Sequence, residues 1–474
     1  MNRIMLSLFF GLCGLSIEAQ SIMDLLNSGH LSNAQVSLSV IDLSDNAELI
    51  SHNEDVLMLP ASSLKVITTL STLRTLGEDY RYETKLGYRG SLLSDGTLLG
   101  DVILTGSGDP SLASPDENVL SLDDLLADII SSIQAAGISC ITGTVYVDGS
   151  IFEAEGIHDT WPWDDLTNYY ASGAYGFNFY ENSYDLYYKT SSSPGQLAEI
   201  IKMYPVIPFE SFRSLVKSGK KGSGDNAYIY GDPYGYDRYV KGTIPPGRDT
   251  FTIHGAIPNP DIMFSELLIN QLEYQNIRVD RIPSSEGGEY KYIKTYQSPS
   301  LEELVRRANY ESNNTYCEAF LKTIGINQAN SGVTFEDGIA EVNSILESLD
   351  LDVSSLNMQD GSGLSIKNRV SASFFTSFIQ AIVKTESIAY VLNYLPSIGQ
   401  AETTLRRFMV NAESKGNAWL KSGSMGGVQS YTGIIKTKYG KHLAISLISN
   451  GHNVGNSKIR RAFAQIIDQI YLQY

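Results

Sequence analysis

Cysteine and histidine are scarce in this chain. Its 474 residues include three cysteines and six histidines. So few thiols cannot staple a chain of this length, which argues against a disulfide scaffold. Cys13 falls in a leader segment, and Cys140 and Cys317 sit in mainly apolar stretches. Small buried side chains are the expectation there, rather than a bridge between them. His30, His52, His158, His254, His442 and His452 are scattered, with no H-E-x-x-H or similar ligand pair. No metal site and no cofactor are therefore expected. A G-x-S-x-G elbow is also missing, which argues against an ordinary α/β-hydrolase. Basic residues are outnumbered, 35 Lys+Arg against 53 Asp+Glu, for a net charge of −18. That balance argues against nucleic acid and against electrostatic docking on anionic lipid. No segment is long and apolar enough for a membrane span.

What is present is globular in composition, 42% hydrophobic and 19% charged. At roughly 100–200 residues per domain, the length suggests two to four domains. Residues 1–19 read as a signal peptide. Arg3 gives a positive start, Ile4 to Leu15 an apolar core, and Ala19 a small residue at the cut. Leu12 before Cys13 is large where a lipoprotein signal requires a small residue. The mature chain is thus expected to be exported.

Gln35 to Ile50 alternates apolar and polar residues around Leu43-Ser44-Asp45-Asn46, which predicts strand, turn and strand. Leu64, Ile67, Leu70, Leu73 and Leu76 make a helical stripe over Ser62–Leu76. From about Lys85 to Ser298 short strand-like runs mix with helices near Leu122–Ala136 and Met263–Tyr274. Helical patterning returns at Leu301–Ala308 and Thr315–Ile324. Strands are expected at Ala418–Ser422, Val428–Thr437 and His442–Ser449, followed by a helix with Ile459, Phe463, Ile466, Ile467 and Ile470 on one face. This predicts one α/β domain built from the two chain ends, 20–84 plus 296–474. The middle, 85–295, is expected to be an insertion of accessory domains.

Three short motifs carry chemistry. Ser62-Ser63-Leu64-Lys65 is an S-x-x-K at the head of a patterned helix. Residues three apart share a helix face, so Lys65 can reach the Ser62 hydroxyl. That hydroxyl needs an adjacent base, and a lysine serves only with a depressed pKa. Ser214–Lys217 and Ser218–Lys221 match the same spacing, but in a basic, Gly-rich stretch read as a solvated loop. Ser312-Asn313-Asn314 is an S-x-N between two helical segments, whereas Ser44-Asp45-Asn46 and Ser355-Leu356-Asn357 read as turns. Lys421-Ser422-Gly423 is a K-S-G on an expected strand, where lysine and hydroxyl can hold a carboxylate and glycine admits a ligand. Each motif alone is weak. Their order along one chain is not.

The ordered set resembles the penicillin-binding proteins and β-lactamases. It is most similar to the D-alanyl-D-alanine carboxypeptidase/endopeptidase family of penicillin-binding protein 4 type, peptidase family S13. Pro60–Lys65 resembles the family's P-A-S-x-x-K, Gly106–Pro110 its G-G-G-D-P, and Trp161–Asp165 its W-P-W segment. Asp360–Ser365 with Asn368-Arg369-Val370 resembles its D-G-S-G-L-S…N-R-V. The interval from Ser62 to Ser312 is more than twice that from Ser312 to Lys421, and no E-x-x-L-N lies in the second. A class A β-lactamase has the opposite features. The resemblance implies a transpeptidase-type domain of penicillin-binding-protein/β-lactamase-like α/β fold, an antiparallel sheet with helices on both sides, carrying a large inserted α+β region.

It also implies roles. Ser62 attacks a D-Ala-D-Ala carbonyl and Lys65 takes its proton. Ser312 relays a proton to the leaving amine beside Lys421, and Asn314 holds the substrate amide. Ser422 binds the terminal carboxylate next to Gly423. The N–H groups of Ser62 and Ser424 form an oxyanion hole. Asp165 and Tyr169 are candidates for a cleft rim. The partners implied are peptidoglycan stem peptides and β-lactams, in the periplasm, with the protein soluble or peripherally membrane-associated. Asn313 and Ser422 stand where the family often has aspartate and threonine, and Ile366-Lys367 where many relatives have arginine. Asp109 and Asp360 are expected to form turns. A β-lactamase or esterase on the same scaffold and a non-catalytic peptidoglycan-binding protein are the alternatives.

Overall fold

The computed structural model describes residues 21–474 other than 28, 117, 285–288 and 410–411. The expected leader, with Cys13, lies outside the described residues. The two ends of the chain meet in one five-stranded antiparallel sheet. Its strands are β1 (Gln35–Asp42), β2 (Glu48–His52), β3 (Ala418–Met425), β4 (Val428–Lys436) and β5 (His442–Asn450), in the order β3-β4-β5-β1-β2. β1 lies against β5 from Gln35 opposite Asn450 to Asp42 opposite Leu443.

Alternation along these strands supplies two apolar faces. Ile434, Ala444 and Ile448 face a helical layer built around α1 (Lys65–Leu76), α2 (Asn314–Ile324) and α3 (Ala372–Thr385). Leu443, Ile445 and Leu447 face the last helix, α4 (Asn456–Gln473). The five apolar residues foreseen on α4 are all buried. Each contributes about 1.5–3 kcal/mol of burial at most.

Helix α1 is buried on all sides over Lys65–Leu73, more than an amphipathic stripe requires. It packs against α2, and the threonines on it find partners inside. Thr68 Oγ1 donates to the Gly361 carbonyl at 2.7 Å and Thr69 Oγ1 to the Lys65 carbonyl at 2.7 Å. The helix also starts later than the pattern predicts. Ala61–Leu64 forms a tighter 3₁₀ turn, with Ala61 in the left-handed region at φ 48°.

The middle of the chain has its own apolar core. Strands Glu83–Leu92 and Thr97–Thr105 lie inside a six-stranded sheet with Lys291–Gln297 at its edge, covered by helices Leu122–Ala135 and Pro260–Tyr274. Two three-stranded sheets complete it. One of them corrects an expectation. Ser214–Lys217, read as solvated loop, lies in the strand Ser211–Ser218, paired in parallel with Asp237–Ile244. Val216 and Ser218 point inward while Leu215 and Lys217 are exposed, a period-2 signal that the charged composition obscured. Cys140 and Cys317 are both free. Only Cys317 is fully buried, so the expectation of a buried side chain fails for Cys140.

Candidate active site

Four separate stretches of chain converge at the N-terminal end of α1. The 3₁₀ turn before it carries Ser62, and Lys65 follows one turn later on the same face. Lys65 is completely buried, and its Nζ has three neighbours. Asn314 Oδ1 lies at 2.6 Å, the Ser362 carbonyl at 2.7 Å and Ser62 Oγ at 3.0 Å. Burial holds the Lys65 pKa below its usual value, opposed by charge on Cys317, Glu318 and Asp360. A neutral lysine has two N–H bonds and one lone pair. With the N–H groups spent on Asn314 and Ser362, the lone pair is left for the Ser62 hydroxyl.

The second motif sits on a widened helical turn, Ala308–Ser312, with Ser312 at φ 63°. The chain then restarts as α2, capped by Asn313, whose Oδ1 accepts from Tyr316 N at 3.2 Å. This break turns Ser312 towards the third motif. Lys421 Nζ donates to Ser312 Oγ at 2.9 Å and to the Ser422 carbonyl at 2.9 Å. Lys421 is also fully buried, and its pKa is driven far down by burial and then by the charge of Lys65.

Glycine at 423 is a packing requirement. A Cβ there meets Ser430 Oγ at 2.3 Å, the Pro60 carbonyl at 2.5 Å and Ser63 N at 2.8 Å. The edge strand β3 thus lies directly on the turn that carries Ser62. Gly363, at φ 84°, presses on the same turn from the other side, its Cβ position 2.0 Å from the Ala61 carbonyl. A cleft of about 650 Å³ opens onto Ser62, Ser312, Ser422 and Ser424.

Comparison with known proteins decides what this geometry belongs to. The model of the D-Ala-D-Ala carboxypeptidase 3 (S13) family matches residues 18–470. The chain belongs to that family. It is a serine-type D-Ala-D-Ala carboxypeptidase. The D-alanyl-D-alanine carboxypeptidase DacB of Haemophilus influenzae is 24% identical, over 89% of this chain and 87% of that protein. A D-alanyl-D-alanine carboxypeptidase of Actinomadura is 26% identical, over 92% and 81%. The fold is that of penicillin binding protein 4 from Haemophilus influenzae, with TM-score 0.80 at 22% identity, covering 95% of this chain and 98% of that one. The same protein has been solved complexed with a β-lactam.

Within this S13 carboxypeptidase, the residues singled out from sequence divide in two. Ser62, Lys65, Ser312, Asn314, Lys421, Ser422, Gly423 and Ser424 are brought together. Asp165 and Tyr169 do not line the cleft. Asp165 accepts from Tyr170 Oη at 2.8 Å, and the Tyr170 carbonyl accepts from Asn314 Nδ2 at 2.7 Å. Asp165 therefore reaches the centre only through Tyr170 and Asn314. Asp360 forms the expected turn, accepting from Gly363 N at 2.8 Å and Ser365 N at 2.6 Å. It also accepts from Trp161 Nε1 at 2.9 Å, which ties the W-P-W segment to that turn.

Two acids were missed. Glu318, buried on α2, accepts from Gly361 N at 2.7 Å and Ser362 N at 2.9 Å, which holds the Ser362 carbonyl towards Lys65. Burial and the Asp360 charge push its carboxyl up to about 8. Its place four residues after Asn314, on one helix face, is the signal that could have found it. Glu181 explains Asn313. Its Oε2 accepts from Asn313 Nδ2 at 2.9 Å, while Oε1 accepts from Arg307 at 2.6 Å and Ser114 Oγ at 2.8 Å. An aspartate at 313 would set two carboxylates against each other.

Proposed function

We propose that this carboxypeptidase works through an acyl-enzyme on Ser62. The reading rests above all on the buried Lys65 amine, whose two N–H bonds are taken by Asn314 and Ser362 and whose third neighbour is Ser62 Oγ. Ser62 Oγ attacks the carbonyl of a terminal D-Ala-D-Ala bond and Lys65 receives its proton. Ser312 Oγ, held by Lys421, passes a proton to the departing amine. Asn314 orients Lys65 and meets the substrate amide. The Ser422 hydroxyl receives the terminal carboxylate, and the Ser62 and Ser424 N–H groups stabilise the oxyanion. Water then frees the acyl group.

Peptidoglycan stem peptides are the substrate, and β-lactams acylate the same serine. The solved β-lactam complex of the Haemophilus influenzae protein supports the second point by similarity. Cleavage of D-Ala cross-links is a second activity of the same centre. The chain acts after export, with 1–19 removed, and divides into a peptidase domain of 20–84 plus 296–474 and an accessory region of 85–295. Pairing of Glu83–Leu92 with Lys291–Gln297, where the chain leaves and re-enters, supports those limits.

Fluorescent penicillin labelling tests the reading. The wild type is expected to label and Ser62→Ala not to; label that survives this substitution overturns the nucleophile assignment. Mass analysis of sacculi incubated with the protein separates loss of terminal D-alanine from cutting of cross-links. No change in the sacculi would leave only a binding role.

A further inference from the structure

The cleft that opens onto Ser62 does not end at the reacting groups. It continues past Ser422 and Ser424 to Arg407, Arg460 and Arg461. Its volume of about 650 Å³ is in the range of pockets for drug-sized ligands, roughly 300–1,000 Å³. A departing alanine needs far less.

Three arginines line this cleft, from the 404–408 turn and from α4, in a chain of net charge −18. Among the described residues, none of the three has a carboxylate within ion-pair distance. The acid that lines the same cleft, Asp468, is occupied, accepting from Ser414 N at 3.0 Å and Ser414 Oγ at 2.6 Å. Arg460 is tied to the K-S-G strand, and Arg407 stands on a turn that touches it. Arg460 Nε donates to Gln429 Oε1 at 3.2 Å, and Gln429 Nε2 donates to the Gly423 carbonyl at 2.9 Å. Arg407 follows Thr404 in the same turn, and the Thr404 hydroxyl lies 3.2 Å from Ser422 Oγ. Guanidinium groups offer forked N–H pairs matched to carboxylates.

The direction of the cleft says which part of the substrate reaches them. Ser312 and Ser422, the groups assigned to the departing amine and its carboxylate, line it. Asn314, Tyr170 and Asp165, on the acyl side, do not. The arginines therefore lie beyond the scissile bond, on the side of the leaving group.

We infer that Arg407, Arg460 and Arg461 form a subsite for a leaving group carrying carboxylates in addition to the one held by Ser422, as in the acidic acceptor stem of a cross-linked peptide. This deepens the peptidase reading above and rests on it. It makes a cross-link, rather than a lone D-alanine, the fuller occupant of the cleft.

The test uses one acylated donor peptide ending in D-Ala-X, where X is D-Ala, D-Glu or D-Lys. The full-length enzyme is expected to give kcat/KM for D-Glu at least about fivefold above D-Lys at low salt. The preference should shrink as ionic strength rises and the Debye length falls below about 10 Å. Arg407→Gln with Arg460→Gln should remove most of it, and Arg460→Lys should retain part. Fraying of the 404–408 turn or of α4 would lower release of all three leaving groups together and leave their ratio alone. A wild type that does not distinguish D-Glu from D-Lys, or a double variant with the wild-type ratio, overturns the inference while the peptidase reading stands. A wild type that releases X from none of the three overturns the peptidase reading, and the inference with it.

Discussion

Gly423→Ala probes how tightly β3 is seated on the turn that carries Ser62. The added Cβ would lie 2.5 Å from the Pro60 carbonyl and 2.8 Å from Ser63 N, both backbone atoms. Neither can rotate away. Reaching an ordinary contact of 3.4 Å needs a displacement of roughly 0.9 Å between strand and turn. Overpacking of this kind costs about 1–3 kcal/mol of stability. The larger effect should be kinetic, because Ser424 N–H rides on the displaced strand and Ser62 N–H on the displaced turn. Misplacing one oxyanion donor costs about 10²–10³ in rate. Time-resolved acylation by a fluorescent penicillin, with thermal unfolding in parallel, reads both. Adding Ser430→Ala relieves the 2.3 Å contact but leaves the two backbone contacts, so the double variant should recover little. Acylation within about twofold of wild type, at an unchanged melting temperature, would refute the reasoning.

Other substitutions test other contacts. Lys65→Arg keeps a long basic side chain but cannot lose its proton, so acylation should fall by about 10²–10⁴ at every pH; near-normal labelling removes Lys65 as base. In the wild type the acylation rate should drop as pH falls through the depressed Lys65 pKa, because only the neutral amine accepts a proton; a rise on acidification contradicts this. Asn313→Asp sets a carboxylate beside Glu181 in a partly buried network and should cost about 1–3 kcal/mol in urea denaturation; an unchanged midpoint argues against the Glu181 account. Burial raises the Asp109 carboxyl from 3.8 to about 6. The native state therefore holds this proton more tightly, and its stability falls by about 3 kcal/mol as pH rises from 4 through 6. Asp109→Asn keeps the acceptor for Ser111 and should flatten that slope and stabilise the protein at neutral pH; an unchanged slope rules the effect out.

The parts of the centre legible in the sequence are those where a side chain does the chemistry. Ser62, Lys65, Ser312, Asn314 and Lys421 stand in short motifs whose spacing helix and strand geometry can interpret. The Ser362 and Tyr170 carbonyls, which hold Lys65 and Asn314, are backbone groups with no residue-type signature. Glu318 was hidden because a lone acid in an apolar helix looks like a solvated position until α1 and the 360–363 turn close over it. The five-stranded sheet was legible from alternation over Gln35–Ile50 and from three strand runs near the end of the chain. The strand at 211–218 was not, because Lys217, Ser218 and Gly219 carry the composition of a loop while only the inward side chains carry the pattern.

The pairing of β1 with β5 has a consequence for how the molecule is made. Synthesis runs from the amino end, so Gln35–Asp42 emerges long before its neighbour His442–Asn450 exists. β2 can pair with β1 at once, but the opposite edge of that hairpin stays open until nearly the whole polypeptide has left the ribosome. Contacts at such separation close slowly, and an open strand edge invites pairing with other chains in the interval. The central region, whose core is drawn from residues 86–296 alone, can settle first, and the reactive centre is among the last parts of the molecule to take shape.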